Sequence, residues 1–183
     1  IVPGYVGIRN IKWLKSITLS EKEVDGTWQQ GISYKGFPHY VDEISPELIY
    51  QTKPIHEMPV QSAITDMTDD GKNIYITGFA WSGGGRGINR VDVSIDNGKT
   101  WQIAELGQGT EQNHLQAWAW TFWKSSIKIP NHLKDTQVIC KATDSSYQSQ
   151  PEKIEFAWNI RGLNNNSWDR REYSFRKNVN DID

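Results

Sequence analysis

The chain has 183 residues, with 20 Lys and Arg against 22 Asp and Glu, a formal charge of −2 and a pI near 6.1, so no global basic field favours nucleic acid or an anionic membrane and any positive site has to be local. Its apolar runs fall short of the ~20 residues that span a bilayer, and its single cysteine, Cys140, excludes an internal disulfide and a thiolate zinc site. His39, His56, His114 and His132 lack i, i+4 spacing, so no metal ligand is expected from the histidines either.

The first 57 residues are irregular. Gly4, Gly7, Pro38, Pro46 and Pro54 interrupt every periodic pattern, and only Ile11 to Leu19 and Tyr34 to Tyr40 read as short ordered pieces. Such a segment cannot bury a core of its own and is expected to pack on another body whose sequence is not in this chain. The chain opens on Ile1 rather than Met, which adds an expectation of polypeptide upstream.

The texture changes near residue 58. Asp70-Gly71 marks a turn, and Asn73 to Trp81 reads as a strand. Ser82-Gly83-Gly84-Gly85-Arg86-Gly87 lacks the Gly-Lys-Ser/Thr ending and following helix of a phosphate loop, and reads as a tight turn. Arg90 to Ile95 alternates apolar with polar, Asp96-Asn97-Gly98-Lys99 is a turn in which Asn and Gly accept positive φ, and Trp101 to Leu106 returns as the hairpin partner. In Ala117-Trp118-Ala119-Trp120-Thr121-Phe122-Trp123 the alternation places Trp118, Trp120 and Phe122 on one face, expected to be the core face. Trp81 and Trp123 are candidate interface anchors. Gln137 to Ala142 is a further strand, with Cys140 a small core residue. Asp144 and Tyr147 are expected to shape a turn before Gln150-Pro151 through side-chain to backbone hydrogen bonds. Short strands, polar turns and the near absence of capped helices give an all-β, two-sheet sandwich over residues 58–177, after an irregular extension over 1–57 and before a polar tail over 178–183.

Several motifs then carry a resemblance. Val2-Pro3-Gly4-Tyr5-Val6-Gly7-Ile8-Arg9-Asn10-Ile11-Lys12-Trp13-Leu14 resembles the closing stretch of the molybdopterin-binding domain in the sulfite oxidase and plant-type nitrate reductase superfamily. Met58-Pro59-Val60-Gln61-Ser62-Ala63-Ile64 resembles the opening of that family's C-terminal dimerisation domain. The runs 82–86, 90–94, 98–101, 117–120 and 150–152 recur there in the same order. The resemblance implies an immunoglobulin-like β-sandwich over 58–177, with 1–57 as the C-terminal remnant of a molybdopterin-binding domain and its linker.

It also implies site residues. In Ile160-Arg161-Gly162-Leu163-Asn164-Asn165-Asn166-Ser167-Trp168, Arg161 stands where the sulfite branch places an arginine in its anion pocket and the nitrate branch lacks one. A guanidinium presents paired donors to neighbouring oxygens and keeps its charge at any physiological pH. By residue type alone, Arg161 also reads as a sandwich-end arginine pairing with Glu155 or Asp169. Tyr34 matches the tyrosine placed beside the metal centre, where a phenol donates a hydrogen bond and helps manage protons; as plain sequence it equally reads as an aromatic anchor. Arg9, Asn10, Ile11 and Lys12 match the stretch contacting the pyranopterin and phosphate, with Asn10 where relatives carry His or Ser.

The implied activity is oxidation of sulfite to sulfate at a molybdenum-molybdopterin centre, whose protein cysteine ligand is not in this chain. Alone, the chain should therefore be inactive. The implied partners are a second copy through the sandwich or a larger protein assembly, with a haem domain or cytochrome as electron acceptor, and the implied location is mitochondrial, in the intermembrane space. Two readings stay open beside it: a non-catalytic dimerisation or scaffold subunit of a larger assembly, and part of a nitrate reductase.

Overall fold

Strands form where β-branched and aromatic residues alternate, and Asx-type turns join them. The computed structural model describes residues 1–175, so the tail expected over 178–183 lies outside the described residues. Strands β1 (Gln61–Asp69), β2 (Asn73–Trp81), β6 (Thr121–Lys128) and β5 (Glu105–Leu106) form one sheet in that order. The other sheet runs β4 (Gln102–Ile103), β3 (Ile88–Ser94), β7 (Asp135–Asp144), β8 (Asp169–Ser174). All pairings are antiparallel, and the two sheets close over Ile74, Ile76, Val91, Val93, Val138 and Cys140, each fully buried. This is the immunoglobulin-like sandwich the sequence led us to expect.

The β1–β2 turn is held by Asp70, whose carboxylate accepts the backbone N–H groups of Lys72 and Asn73 at 2.8 and 2.7 Å. Those N–H groups, Asn73 first, pull its pKa down to about 2. Asn97 and Gly98 take φ of 62° and 83°, the left-handed pair that the Asn-Gly signal demands. The returning strand is not single, however. Gln102 and Ile103 pair with β3 while Glu105 and Leu106 pair with β6, because small, buried Ala104 lets the chain cross from one sheet to the other.

The tryptophan-rich run corrects the expected parity. The strand starts at Thr121, and Trp118, Trp120 and Phe122 are 43, 51 and 47% exposed whereas Trp123 is 2% exposed. Both parities of this run carry an aromatic, so alternation cannot choose between them. Gly78, the register partner of Trp123, makes the choice: a Cβ there would lie 2.2 Å from the Trp123 ring, so the missing side chain is the slot that takes the indole. Trp120 instead stacks on Phe79, centroids 4.2 Å apart, on the outside of the sheet. Trp123 is therefore a core residue and not an interface anchor.

Three further features differ from expectation. Strand β8 is hidden in the charged run Asp169-Arg170-Arg171-Glu172, as befits an edge strand. Helix α1 (Pro46–Gln51) forms where Ser45 caps Leu48 N–H at 3.1 Å and Pro46 occupies the first turn. Residues 11–19 are exposed throughout and carry no regular element, and 34–40 contribute only a bridge at Lys35 and buried Phe37.

Candidate functional site

Three segments of the extension lie side by side at one end of the sandwich. Val6 N–H donates to His56 O at 2.8 Å, Ile55 N–H donates to Tyr34 O at 2.7 Å, and Lys35 bridges Pro54. Tyr34 sits at their centre with φ of 59°, a left-handed conformation that costs a non-glycine residue about 1–3 kcal/mol and persists only where surroundings impose it. Here the imposing contacts are visible. Beyond the Ile55 bond, buried Lys35 donates from Nζ to Ile49 O in the last turn of α1 at 2.6 Å, and the Trp28 ring lies 6.4 Å from that of Tyr34.

Two arginines approach this patch. Arg9 bonds the Gln29 side chain with one terminal nitrogen and Ile55 O with the other at 2.9 Å, while its buried Nε has no partner among the described residues. Arg161 arrives from the sandwich on a self-closed loop: Asn159 Oδ1 accepts from Arg161 N–H and Leu163 N–H, Asn159 Nδ2 donates to Leu163 O, and Gly162 supplies φ of 63°. The Arg161 guanidinium donates to Ile32 O at 2.6 Å, two residues before Tyr34 in the chain. Among the described residues it forms no ion pair with Glu155 or Asp169; Asp169 instead accepts from Ile64 N–H at 2.8 Å and pairs with Arg171 at 3.2 Å.

The structure thus gathers Arg9, Tyr34 and Arg161 around the backbone of 32–34 and 55. It does not gather the rest of the nominated stretch. Asn10 accepts from Val2 N–H, Ile11 is 67% exposed, and Lys12 stands in solvent with no partner among the described residues.

A second cluster fixes the extension to the sandwich. Fully buried Asp144 accepts from Ser146 N–H at 2.8 Å and Gln148 N–H at 3.0 Å, which is the turn expected of it. It also accepts from Ser82 Oγ at 2.8 Å and Arg86 Nε at 3.1 Å. Arg86 then reaches Glu57 at 2.7 Å and Met58 O at 3.3 Å. Sequence reasoning missed this role of Arg86, and that of Lys35, since their partners lie 58 and 14 residues away.

Whether the chain fits a molybdenum cofactor divides in two. Cys140 lies in the core beside Ser62, fully buried, and burial pushes its thiol up to about 12, so it offers no thiolate to a metal. Among the described residues no group of three or more His, Cys, Asp or Glu is placed to hold a metal ion. The exposed ammonium of Lys12 and the spare N–H donors of Arg161 have the chemistry to meet an anion, though the two are not gathered in one place.

Comparison with known proteins follows the same line. The Mo-co oxidoreductase dimerisation domain family matches residues 52–174. The mitochondrial sulfite oxidase of Rattus norvegicus is 43% identical over 175 residues, covering 93% of this chain and 31% of the rat protein. Inducible nitrate reductase [NADH] 1 of Glycine max is 34% identical over 193 residues, covering 93% and 20%. Among solved structures, the sulfane dehydrogenase SoxCD of Paracoccus pantotrophus superposes with a TM-score of 0.71 at 25% identity, covering 97% of this chain and 46% of that one. The chain spans about a third of the length of the rat relative. Among the described residues, no helix is long and apolar enough to cross a membrane. With its two-sheet architecture and its match over two-thirds of its length, the chain belongs to the Mo-co oxidoreductase dimerisation domain family, alongside the sulfite oxidases.

Proposed function

We propose that the chain is the C-terminal portion of a sulfite oxidase-like molybdenum enzyme, supplying its dimerisation surface and part of the pocket that binds sulfite. The observation that carries this reading is the bond from Arg161 on the sandwich to Ile32 O on the extension, which sets a guanidinium beside the segment bearing Tyr34. In this division of the chain, residues 1–57 close the cofactor-binding body and the sandwich begins at residue 58.

The chemistry follows from donor count. Arg161 uses one terminal nitrogen on Ile32, so its remaining N–H donors have no partner among the described residues and are free for the oxygens of sulfite or sulfate. The Ile32 contact limits the side chain's rotamers, which lowers the ordering cost when an anion arrives. Tyr34 offers a phenol that donates to an oxygen of the substrate and passes a proton to or from it. Arg9 ties Gln29 to Ile55 and so frames the Tyr34 segment, while Lys12 offsets the negative charge of a phosphate-bearing cofactor. When bound, the molybdenum cofactor supplies the two-electron redox chemistry, through a ligand from polypeptide outside this chain. A cytochrome or haem domain accepts the electrons, and the location is mitochondrial, in keeping with the rat relative's name, with the intermembrane space as the compartment that this reading adds.

The test uses the protein isolated from its native source. The expected result is a polypeptide well above 21 kDa that carries molybdenum and reduces a cytochrome only when sulfite is added. A molybdenum-free protein with a mass near 21.0 kDa would replace this reading with the scaffold one. Nitrate-dependent turnover without sulfite oxidation would point to the nitrate branch.

A further inference from the structure

We infer that Lys35 is a positioning residue for the Tyr34 phenol, a buried strut that holds the strained turn bearing it against helix α1. The inference rests on the sulfite-oxidising reading above and adds a residue that acts on turnover without touching substrate.

Strain is the starting point. Ile32 O accepts the Lys35 N–H at 3.4 Å, so Ser33 and Tyr34 are the central residues of a turn, and the second of them has φ of 59°. Glycine or asparagine suits that place, since a positive φ crowds a larger side chain against its own backbone. Gly31 and Gly36 stand close by on either side, yet neither takes a positive φ. The strained place goes to the tyrosine. A phenol kept in such a conformation points to a working side chain, and it needs surroundings that hold it there.

Lys35 supplies one side of that hold. It is 2% exposed, and among the described residues its ammonium forms no ion pair. Its one side-chain bond runs to Ile49 O at 2.6 Å. Helix α1 has six residues, and Thr52 closes it by donating its N–H and its hydroxyl to Leu48 O at 3.0 and 2.8 Å, which leaves Ile49 O without a backbone donor among the described residues. A lysine ammonium satisfies such an orphan carbonyl at a helix end. An exposed lysine would serve the helix equally well and would keep its charge in water. Burying the ammonium carries a desolvation cost, and what it gains is a fixed distance between α1 and residue 34. On the other side, Lys35 bridges Pro54 and Ile55 N–H donates to Tyr34 O at 2.7 Å. Held between α1 and residues 54–55, the turn cannot relax to an ordinary φ without breaking one of these contacts. Arg161 is held separately by its own loop, closed through Asn159, so loss of the strut falls on the phenol more than on the anion contact.

Two measurements test this. Amide hydrogen exchange of the chain reads the Ile55 N–H that Tyr34 O accepts. Lys35→Met keeps an unbranched side chain but leaves Ile49 O unpaired, and it is expected to speed Ile55 exchange by about tenfold or more, with the amides of β3 and β7 unchanged. Ser45→Ala uncaps α1 without touching Lys35 or Tyr34 and is expected to speed the same amide severalfold. Steady-state sulfite oxidation by the molybdenum-loaded holoenzyme reads the consequence: Lys35→Met lowers kcat by about ten- to hundredfold while KM changes by less than about threefold. In a Tyr34→Phe background the same substitution lowers kcat by no more than about twofold, because two residues acting as one unit are not additive. Ile55 exchange unchanged in both single variants overturns the strut. Equal kcat losses from Lys35→Met with and without the phenol overturn the positioning role and leave the functional reading standing. A wild-type holoenzyme that does not turn over sulfite overturns that reading, and the positioning role with it.

Discussion

Replacing Arg86 by alanine is expected to cost about 3–5 kcal/mol of stability, because it strands a buried carboxylate. Asp144 has no solvent access, and among the described residues Arg86 is its only cationic partner. Its turn N–H donors and Ser82 remain, but a charge in a low-dielectric interior needs a countercharge as well as hydrogen bonds. The same substitution frees Glu57 and Met58, so the segment that leads from the extension into β1 loses its attachment. For a chain of this size the loss corresponds to a fall in melting midpoint of roughly 6–20 °C. Adding Asp144→Asn removes the stranded charge and should recover a good part of the loss, which separates the electrostatic cause from simple loss of packing. A midpoint within about 2 °C of wild type for Arg86→Ala, small by the usual scale, would show that water reaches Asp144 and that the cluster does not hold the extension.

Trp123→Ala is expected to be as severe, at about 3–5 kcal/mol, by the scale of buried aromatic truncations. The indole fills the slot left by Gly78 and touches both sheets' core, so little can collapse into the space it leaves. Trp120→Ala, three residues away and on the outside, should cost no more than about 1.5 kcal/mol, the worth of its stacking on Phe79. Thermal or urea unfolding of the two variants side by side checks the parity of β6 directly. Equal losses would mean that both indoles are buried to the same degree.

That comparison also shows where sequence reading stops. The sandwich was legible because Ile74, Ile76, Val91 and Val93 alternate with polar residues and because Asp70-Gly71 and Asn97-Gly98 announce turns with a definite conformation. The face of β6 was not legible, since large aromatics occupy both parities and the deciding residue, Gly78, lies on another strand. Strand β8 escaped because an edge strand carries charges where a central one carries valines. In the extension, burial of Lys35 depends on where α1 ends, which no local pattern specifies.

The candidate site was legible in a different way. Arg161 and Tyr34 stand 127 residues apart in the numbering, and no periodicity connects them; the resemblance of their flanking motifs nominated both. The backbone geometry then draws them to one end of the molecule, through Ile32 for the arginine and Ile55 for the tyrosine. For Asn10, Ile11 and Lys12 the nomination stays an expectation, as their side chains face solvent or their own segment.

If Arg161 binds the substrate oxyanion, as proposed, steady-state sulfite oxidation by the molybdenum-loaded enzyme should separate wild type from Arg161→Gln and Arg161→Lys. Losing a charge-assisted contact to an anion is expected to raise KM for sulfite by about ten- to hundredfold in the glutamine variant, with lysine restoring part through charge alone. An Arg161→Gln enzyme that retains the wild-type KM contradicts the account, because the guanidinium then serves only to fasten the sandwich to Ile32.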